Sequence, residues 1–329
     1  MRAITYDRFG TASEVLTLEE LPTPSPQAGE VLVRLHSSGV NPSDIRARAG
    51  GRPGVTEPPF PKIIPHSDGA GVIEAVGEGV AKERLGERVW IWNGQWRRAF
   101  GTAAEYIALA SEQAVRLPDG VSFAAGAVLG IPGLTACHAV LGGGPVQGQT
   151  ILVSGGAGTV GRLAVQVAKA SGARVLATTR GADGLQAARQ AGADHVFDYS
   201  EADLADQILE ATHGDPVDRI VEVEFGRNVV TNAAIIAEGG TIASFGSAQD
   251  MTPTLPFYPL MFKAVTLELV LVYLLAGAKR QAALTNLTDL LDRDALSFRI
   301  DRTMDLAACA EAHDLIASGA RTGSVILTL

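Results

Sequence analysis

Gly155, Gly158 and Gly161 stand three residues apart in the segment VSGGAGTVG, residues 153–161. The apolar run TILV leads into them, and the helix-forming run VGRLAVQVAKASG leads away. A strand, a tight glycine turn and a helix N-terminus together present free backbone N–H groups to an anion. Without Cβ atoms in the way, a pyrophosphate can approach that backbone closely. The segment therefore reads as a dinucleotide loop, with Gly155, Gly156, Ala157, Gly158, Thr159, Val160 and Gly161 as candidate cofactor-binding residues. The next strand, in ARVLATTRG, ends in Thr178, Thr179 and Arg180. NAD-specific sites carry Asp or Glu there, to bind the ribose 2′-hydroxyl. Hydroxyls and a guanidinium suit a 2′-phosphate, which a carboxylate would repel, so the expected cofactor is NADPH. The competing reading makes Arg180 a solvated charge, with Asp183 close by.

Such a loop works only at the edge of a parallel sheet, and the surrounding pattern supplies one. From about 125 to 270 the apolar runs TILVSG, ARVLATT, HVFDY, VDRIVEVE, GTIASFG and TLELVLV alternate with helical segments. That alternation predicts βαβ units and a parallel sheet covered on both faces. Residues 1 to about 122 differ: short β-type runs are broken by Pro and Gly clusters, as in an all-β or barrel-like module. The segment after 270 holds helices and two short strands but has no fold signal of its own.

Composition narrows the function. A net charge of −9 with scattered Lys and Arg argues against a nucleic-acid surface. Two cysteines, Cys137 and Cys309, are too few for a disulfide framework or a Cys-rich zinc lobe. The N-terminus lacks the apolar core of a secretion signal, and the apolar stretch 264–278 is too short to span a bilayer and contains Glu268. The chain reads as cytoplasmic and soluble.

The motifs GVNPSD (39–44), HSDGAGVIEAVG (66–77), GTAAEY (101–106), GIPGLTA (130–136), VSGGAGTVG, GADHVFDY (192–199) and TGSVIL (322–327) fall in one order along nearly the whole chain. In that order and spacing the chain resembles the quinone oxidoreductases, the zeta-crystallin-like branch of the medium-chain dehydrogenase/reductase superfamily. The resemblance implies an α/β protein with a GroES-like β-barrel catalytic domain, residues 1–122 and 271–329, and an inserted Rossmann domain, residues 123–270. It implies a homodimer, or a tetramer built from dimers, in which a strand near 266–272 pairs across subunits.

Zinc-dependent members of the superfamily bind catalytic zinc with a Cys in the loop that here reads SGVNPSD, and with the His of a Gly-His-Glu triplet. Here Asn41 takes the Cys position, Ser67 the His position and Asp68 the Glu position, while His66 sits one residue off. No other trio offers a thiolate and imidazoles at zinc spacing, so no metal is expected. Without a Lewis acid, simple alcohols and ketones are hard to polarise. A conjugated carbonyl is already electrophilic, so the expected reaction is hydride transfer to quinones or related enones, with the proton taken from water.

The resemblance further assigns Asn41 to the cleft near the nicotinamide as a donor to the substrate carbonyl, and Thr135 to a position beside the ring. It assigns Tyr199 to the adenine ribose phosphate and the backbone of Val272 and Tyr273 to the carboxamide. Phe245, Gly246 and Ser247 end the fifth strand at the carboxyl edge, where ligands bind. Where relatives carry a Tyr, this chain has Arg46, with Arg48 next on the same side of an extended segment. The pair either attracts a polar carbonyl substrate or forms ion pairs with Asp44. Where many relatives have Lys, it has Gly184. Trp92, Trp96, Arg97 and Arg98 are read as a mobile rim or a solvated loop, and His138 and Cys137 as packed core residues. Two other readings stay open: a 2-alkenal or enoyl-thioester reductase, and an NADPH-binding redox sensor or structural crystallin-like protein.

Overall fold

The computed structural model describes residues 1–51, 54–275 and 277–329. The chain divides into two compact units, one of residues 1–131 and 298–329, the other of residues 132–297.

The first unit holds β1 (Arg2–Thr5), β2 (Thr17–Glu20), β3 (Glu30–Val40), β4 (Asp68–Val76), β5 (Arg88–Ile91), β6 (Tyr106–Ala110) and β7 (Ala114–Arg116). Strand β3 is its hub, because β4 and β6 both pair with it antiparallel. Register shifts along β3 and β4 bend the pair, as bulges do where a sheet must curl into a barrel. Inward residues of these strands, among them Val31, Val33, Leu35, Ile73, Val89, Ile91, Ile107 and Leu109, form one buried cluster.

The second unit contains β8 (Thr150–Ser154), β9 (Arg174–Thr179), β10 (His195–Asp198), β11 (Val217–Glu222), β12 (Ile236–Ser244) and β13 (Thr266–Leu269). All pairings are parallel, in the order β10-β9-β8-β11-β12-β13. That is the doubly wound order, whose switch point lies between β8 and β11. Strands buried on both faces need continuous apolar runs, and Ile151, Leu152, Val153, Val175, Leu176, Ile220, Val221 and Ile242 are all buried.

The tail returns to the first unit. Strand β14 (Ile300–Asp305) pairs parallel with β15 (Ser324–Thr328), and β15 pairs antiparallel with β3. The helix Cys309–Ser318 buries Cys309, Ala312, His313 and Ile316 beneath them. A segment with no fold signal of its own is thus completed by strands laid down some 280 residues earlier (Val325 pairs with Val40).

The boundaries differ from expectation, falling at 131 and 297 rather than 122 and 270. The helix Gly277–Asp292 packs against the helix Leu134–Leu141 and so stays with the nucleotide unit. Strand β13 also stops at Leu269, and Val272–Leu274 forms a 3-10 turn instead of extending it. Glu268, the single charge of that apolar run, meets His138 at 3.0 Å, Lys279 at 2.8 Å and Arg219 at 3.5 Å. His138 is accordingly a hydrogen-bonded core residue. Cys137 is packed beside it, its thiol pushed up to about 12 by burial.

The helix Thr159–Ala170 packs onto the β8 turn at Gly161, where a Cβ would stand 2.1 Å from the Gly155 carbonyl oxygen. At Gly158 the nearest atom to an added Cβ is 3.3 Å away. Alanine in a helix gains about 1 kcal/mol over glycine, but a clash with backbone cannot relax by a rotamer change. Gly161→Ala should therefore lose about 1–3 kcal/mol of stability, and Gly158→Ala much less, as read from paired thermal melts.

Candidate active site

In the nucleotide unit, Gly155 turns the chain with φ +70° directly after β8, a conformation that favours glycine. Gly158 is the exposed N-cap of the helix Thr159–Ala170, and Thr159 and Val160 form its first turn. The Gly156 N–H is taken by the Thr178 carbonyl at 2.9 Å, which locks the turn to the end of β9. Thr178 and Thr179 are buried there, and Arg180 follows as the exposed N-cap of the helix Gly181–Gln190. Gly184 lies against Thr179: a Cβ at 184 would stand 2.6 Å from the Thr179 hydroxyl oxygen. A lysine there would have to displace that hydroxyl.

Tyr199 follows β10, its N–H bonded to the Thr179 carbonyl. The Arg227 guanidinium lies over its ring, 5.6 Å from the centroid, a cation that sequence reasoning missed. Residues 199 and 227 are too far apart in sequence for pattern to link them. Beyond β12, Phe245 donates its N–H to Glu222 and the Gly246 carbonyl accepts from Phe225. Gly226 donates to the Ser247 hydroxyl at 2.8 Å. Fully buried Glu222 accepts from Asn228, Asn232 and the Glu224 N–H, and the Glu224 carboxylate accepts from the Ala248 and Gln249 N–H groups, so the loops ending β11 and β12 are tied together. The carbonyls of Val272 and Tyr273 both accept from Arg280, at 3.0 and 3.2 Å. Thr135 is buried in the first turn of the helix Leu134–Leu141.

In the first unit, β3 and β4 run antiparallel with Gly39 opposite Asp68. Asn41, two residues past Gly39, therefore reaches the start of β4, and its amide nitrogen donates to Asp68 Oδ2 at 2.9 Å. Asn41 also begins the helix Pro42–Arg48, and its backbone N–H donates to Asp44 Oδ2 at 2.8 Å. Burial pushes the Asp68 carboxyl well above the usual carboxylate range. The Asn41 amide opposes that shift, the nearby Asp44 adds to it, and the Ile131 N–H opposes it again. Asn41 and Ser67 offer an amide and a hydroxyl at this point. That donor set does not fit zinc.

Arg46 and Arg48 correct the sequence reading. The segment is helical rather than extended, so residues two apart point to different faces. Arg46 is exposed, whereas Arg48 is buried and donates to the Gly10 carbonyl. The 92–98 loop is not fully solvated. Trp92 is buried with its indole N–H on the Glu112 carbonyl, Arg98 donates to Ala108, and Arg97 lies over Trp96.

A further correction concerns metal-ligand geometry. His66, Cys309 and His313 converge with all their ligand atoms within 4.8 Å of one another. Separations of 243 and 247 residues hid the trio from any spacing rule.

Two family models match the chain: zinc-binding dehydrogenase over residues 159–292, and alcohol dehydrogenase GroES-like domain over residues 27–119. The quinone oxidoreductase of Homo sapiens is 31% identical over 334 residues, covering 100% of this chain and 98% of that protein. A structure of an NAD-dependent alcohol dehydrogenase superposes with a TM-score of 0.88 at 28% identity, covering 100% of both chains. Escherichia coli quinone oxidoreductase complexed with NADPH superposes with a TM-score of 0.85 at 25% identity, again covering 100% of both. Among the described residues, no helix is long and apolar enough to cross a membrane. Full-length similarity and a shared two-unit fold lead to one conclusion: the chain belongs to the quinone oxidoreductase-like branch of the medium-chain dehydrogenase/reductase superfamily and is an oxidoreductase.

Proposed function

We propose that this oxidoreductase transfers hydride from NADPH to quinones or related conjugated carbonyl compounds, with no metal in the reaction. The observation that carries the reading is the Asn41–Asp68 pair, in which a buried carboxyl orients an amide donor. When bound, the reduced nicotinamide supplies the hydride. Residues 155–161 would hold the pyrophosphate on the helix N-terminus, and Gly155, Gly158 and Gly161 keep the backbone open enough for it. Phe245–Ser247, Val272, Tyr273 and Thr135 would flank the rest of the cofactor. One Asn41 amide hydrogen is held by Asp68, and the other would meet the acceptor oxygen as negative charge develops there. Water then supplies the proton. Arg46, exposed on its helix, would contact only a substrate's solvent-facing end.

The test is NADPH oxidation with a panel of quinones, 2-alkenals and enoyl thioesters, before and after prolonged chelation. Quinones should turn over fastest, chelation should change nothing, and Asn41→Ala should lower kcat by about 10²–10³ with unchanged NADPH affinity. Faster reduction of thioesters would favour that second reading. No turnover with any acceptor, despite NADPH binding, would favour a sensor or structural role.

Preference for NADPH would rest on Arg180, with Thr178 and Thr179 beside it and Arg227 on Tyr199 nearby in the same unit. A charged hydrogen bond contributes about 1.5–3 kcal/mol, roughly a tenfold to hundredfold effect on affinity. Arg180→Ala should weaken NADPH by about that factor and leave NADH unchanged. Equal weakening of both would remove Arg180 from the phosphate, and a wild-type preference for NADH would overturn the cofactor assignment.

The proposal includes a homodimer formed through β13. That strand pairs with β12 on one side, and its last residue, Leu269, is 75% exposed. The helix Phe257–Phe262 adds exposed Phe257, Tyr258 and Phe262. Light scattering should give twice the chain mass for the wild type and the monomer mass for Leu269→Arg. A dimeric variant would place the interface elsewhere.

A further inference from the structure

His66 is in the left-handed region, with φ +75°, and is completely buried. A side chain there is strained, and such strain persists where the surroundings over-determine it. What surrounds the ring is a hydrogen-bond relay that fixes its protonation. Thr102 Oγ1 lies 2.6 Å from the Asp68 carbonyl, which can only accept, so Thr102 donates to it. Ser38 Oγ, 2.9 Å from Thr102 Oγ1, must then donate to Thr102. Ser38 has no second proton, so its oxygen accepts from His66 Nδ1 at 2.9 Å. His66 Nε2 is left as a bare lone pair.

That lone pair points into the cluster. His313 Nε2 lies 2.8 Å from it, and Cys309 Sγ lies 3.9 Å from it. Cys309 and His313 are four residues apart on the helix Cys309–Ser318 and so share a face. Both are completely buried. Ligands at bond lengths of about 2.0–2.1 Å for nitrogen and about 2.3 Å for sulfur stand roughly 3.5 Å apart around a three-coordinate ion, so the imidazole pair at 2.8 Å must open slightly and the Cys309–His313 pair, within 4.8 Å, must close by no more than about an ångström. His313 Nδ1 is buried without a hydrogen-bond partner. It is therefore free to take the proton that His313 Nε2 gives up on binding a metal.

We propose that His66, Cys309 and His313 form a binding site for a single monovalent copper ion. Three donors satisfy a three-coordinate d¹⁰ ion, whereas zinc asks for four, and among the described residues no fourth His, Cys, Asp or Glu belongs to the cluster. Charge points the same way. Cu⁺ with one thiolate is neutral, while Zn²⁺ would leave a net positive charge in a fully buried site. The charged groups that act on Cys309 are Asp44 and Arg48, of opposite sign. Thiolate and imidazole both suit copper as well as zinc, so coordination number and charge make the choice. The exchange balances: Cu⁺ enters, the Cys309 thiol releases one proton to solvent, and the His313 proton moves from Nε2 to Nδ1 with no redox change.

The test is anaerobic titration of the whole chain with Cu⁺ supplied as its bicinchoninate complex, following loss of the complex's colour and proton release. Wild type and Cys137→Ser should each take one ion per chain and release one proton. Cys309→Ser should take none. Ser38→Ala, which loosens His66 without removing a ligand, should bind about 10- to 100-fold more weakly, so the site can be read even if a ligand variant folds poorly. Uptake by Cys309→Ser equal to wild type, or no uptake by folded wild type, would overturn the site. Stoichiometric Zn²⁺ binding that depends on Cys309, without Cu⁺ uptake, would overturn the copper assignment.

Discussion

The nucleotide unit depends on one close approach of backbone to backbone, that of Gly161 to the Gly155 carbonyl. It sets how tightly the helix Thr159–Ala170 seats on the turn after β8, and hence where the free N–H groups at its start lie. Any side chain at 161 would lift the helix. The Gly156–Thr178 hydrogen bond then couples that turn to the end of β9, so the phosphate loop and the residues that would read the ribose are one rigid object. Glu224, with Gly226 on the Ser247 hydroxyl, does the same for the loops after β11 and β12. A parallel sheet leaves the loops that follow its strands at one edge, and these bonds convert that edge from a row of loops into a surface.

In the first unit the comparable constraint is the register of β3 on β4. Because Gly39 faces Asp68, residues at the end of one strand and at the start of the other meet in a small buried polar volume. Ser38, Asn41, His66 and Asp68 lie there, with Thr102 beside them. A shift of one residue would turn each side chain to the opposite face. Polar groups so buried are tolerable only when they satisfy one another, and the relay from His66 to the Asp68 carbonyl does so with one arrangement of protons.

Much of this was legible in the sequence, and the reasons for success and failure differ. The glycine spacing and the alternation of apolar runs are local signals, so the strand–turn–helix and the parallel sheet could be read directly. Asn41 and Ser67 could be singled out because the motifs around them kept family order. The Arg46–Arg48 reading failed because Asn41 and Pro42 start a helix, which turns an apparent pair into residues on different faces. Arg227 on Tyr199 and the His66–Cys309–His313 cluster are contacts made by tertiary folding between distant segments. No spacing rule reaches them. The end of the nucleotide unit was misplaced because the helix Gly277–Asp292 is assigned by what it packs on, which its own sequence does not state.

The placement of β15 between β14 and β3 has a consequence for how the polypeptide is made. Residues 132–297 are contiguous, so that unit can fold as soon as it leaves the ribosome. The barrel begins first yet finishes last, because β3 must wait for β15, and Cys309 and His313 arrive with the same late segment. Until then the β3 edge and the apolar residues Ile4, Val40 and Ile64, which Leu306, Ile316 and Leu327 will cover, remain open to solvent. An unpaired edge over an uncovered apolar face is the condition that favours mispairing and aggregation. A chain of this design is therefore most vulnerable not at its catalytic residues but during the interval in which an early strand waits for β15 to be translated.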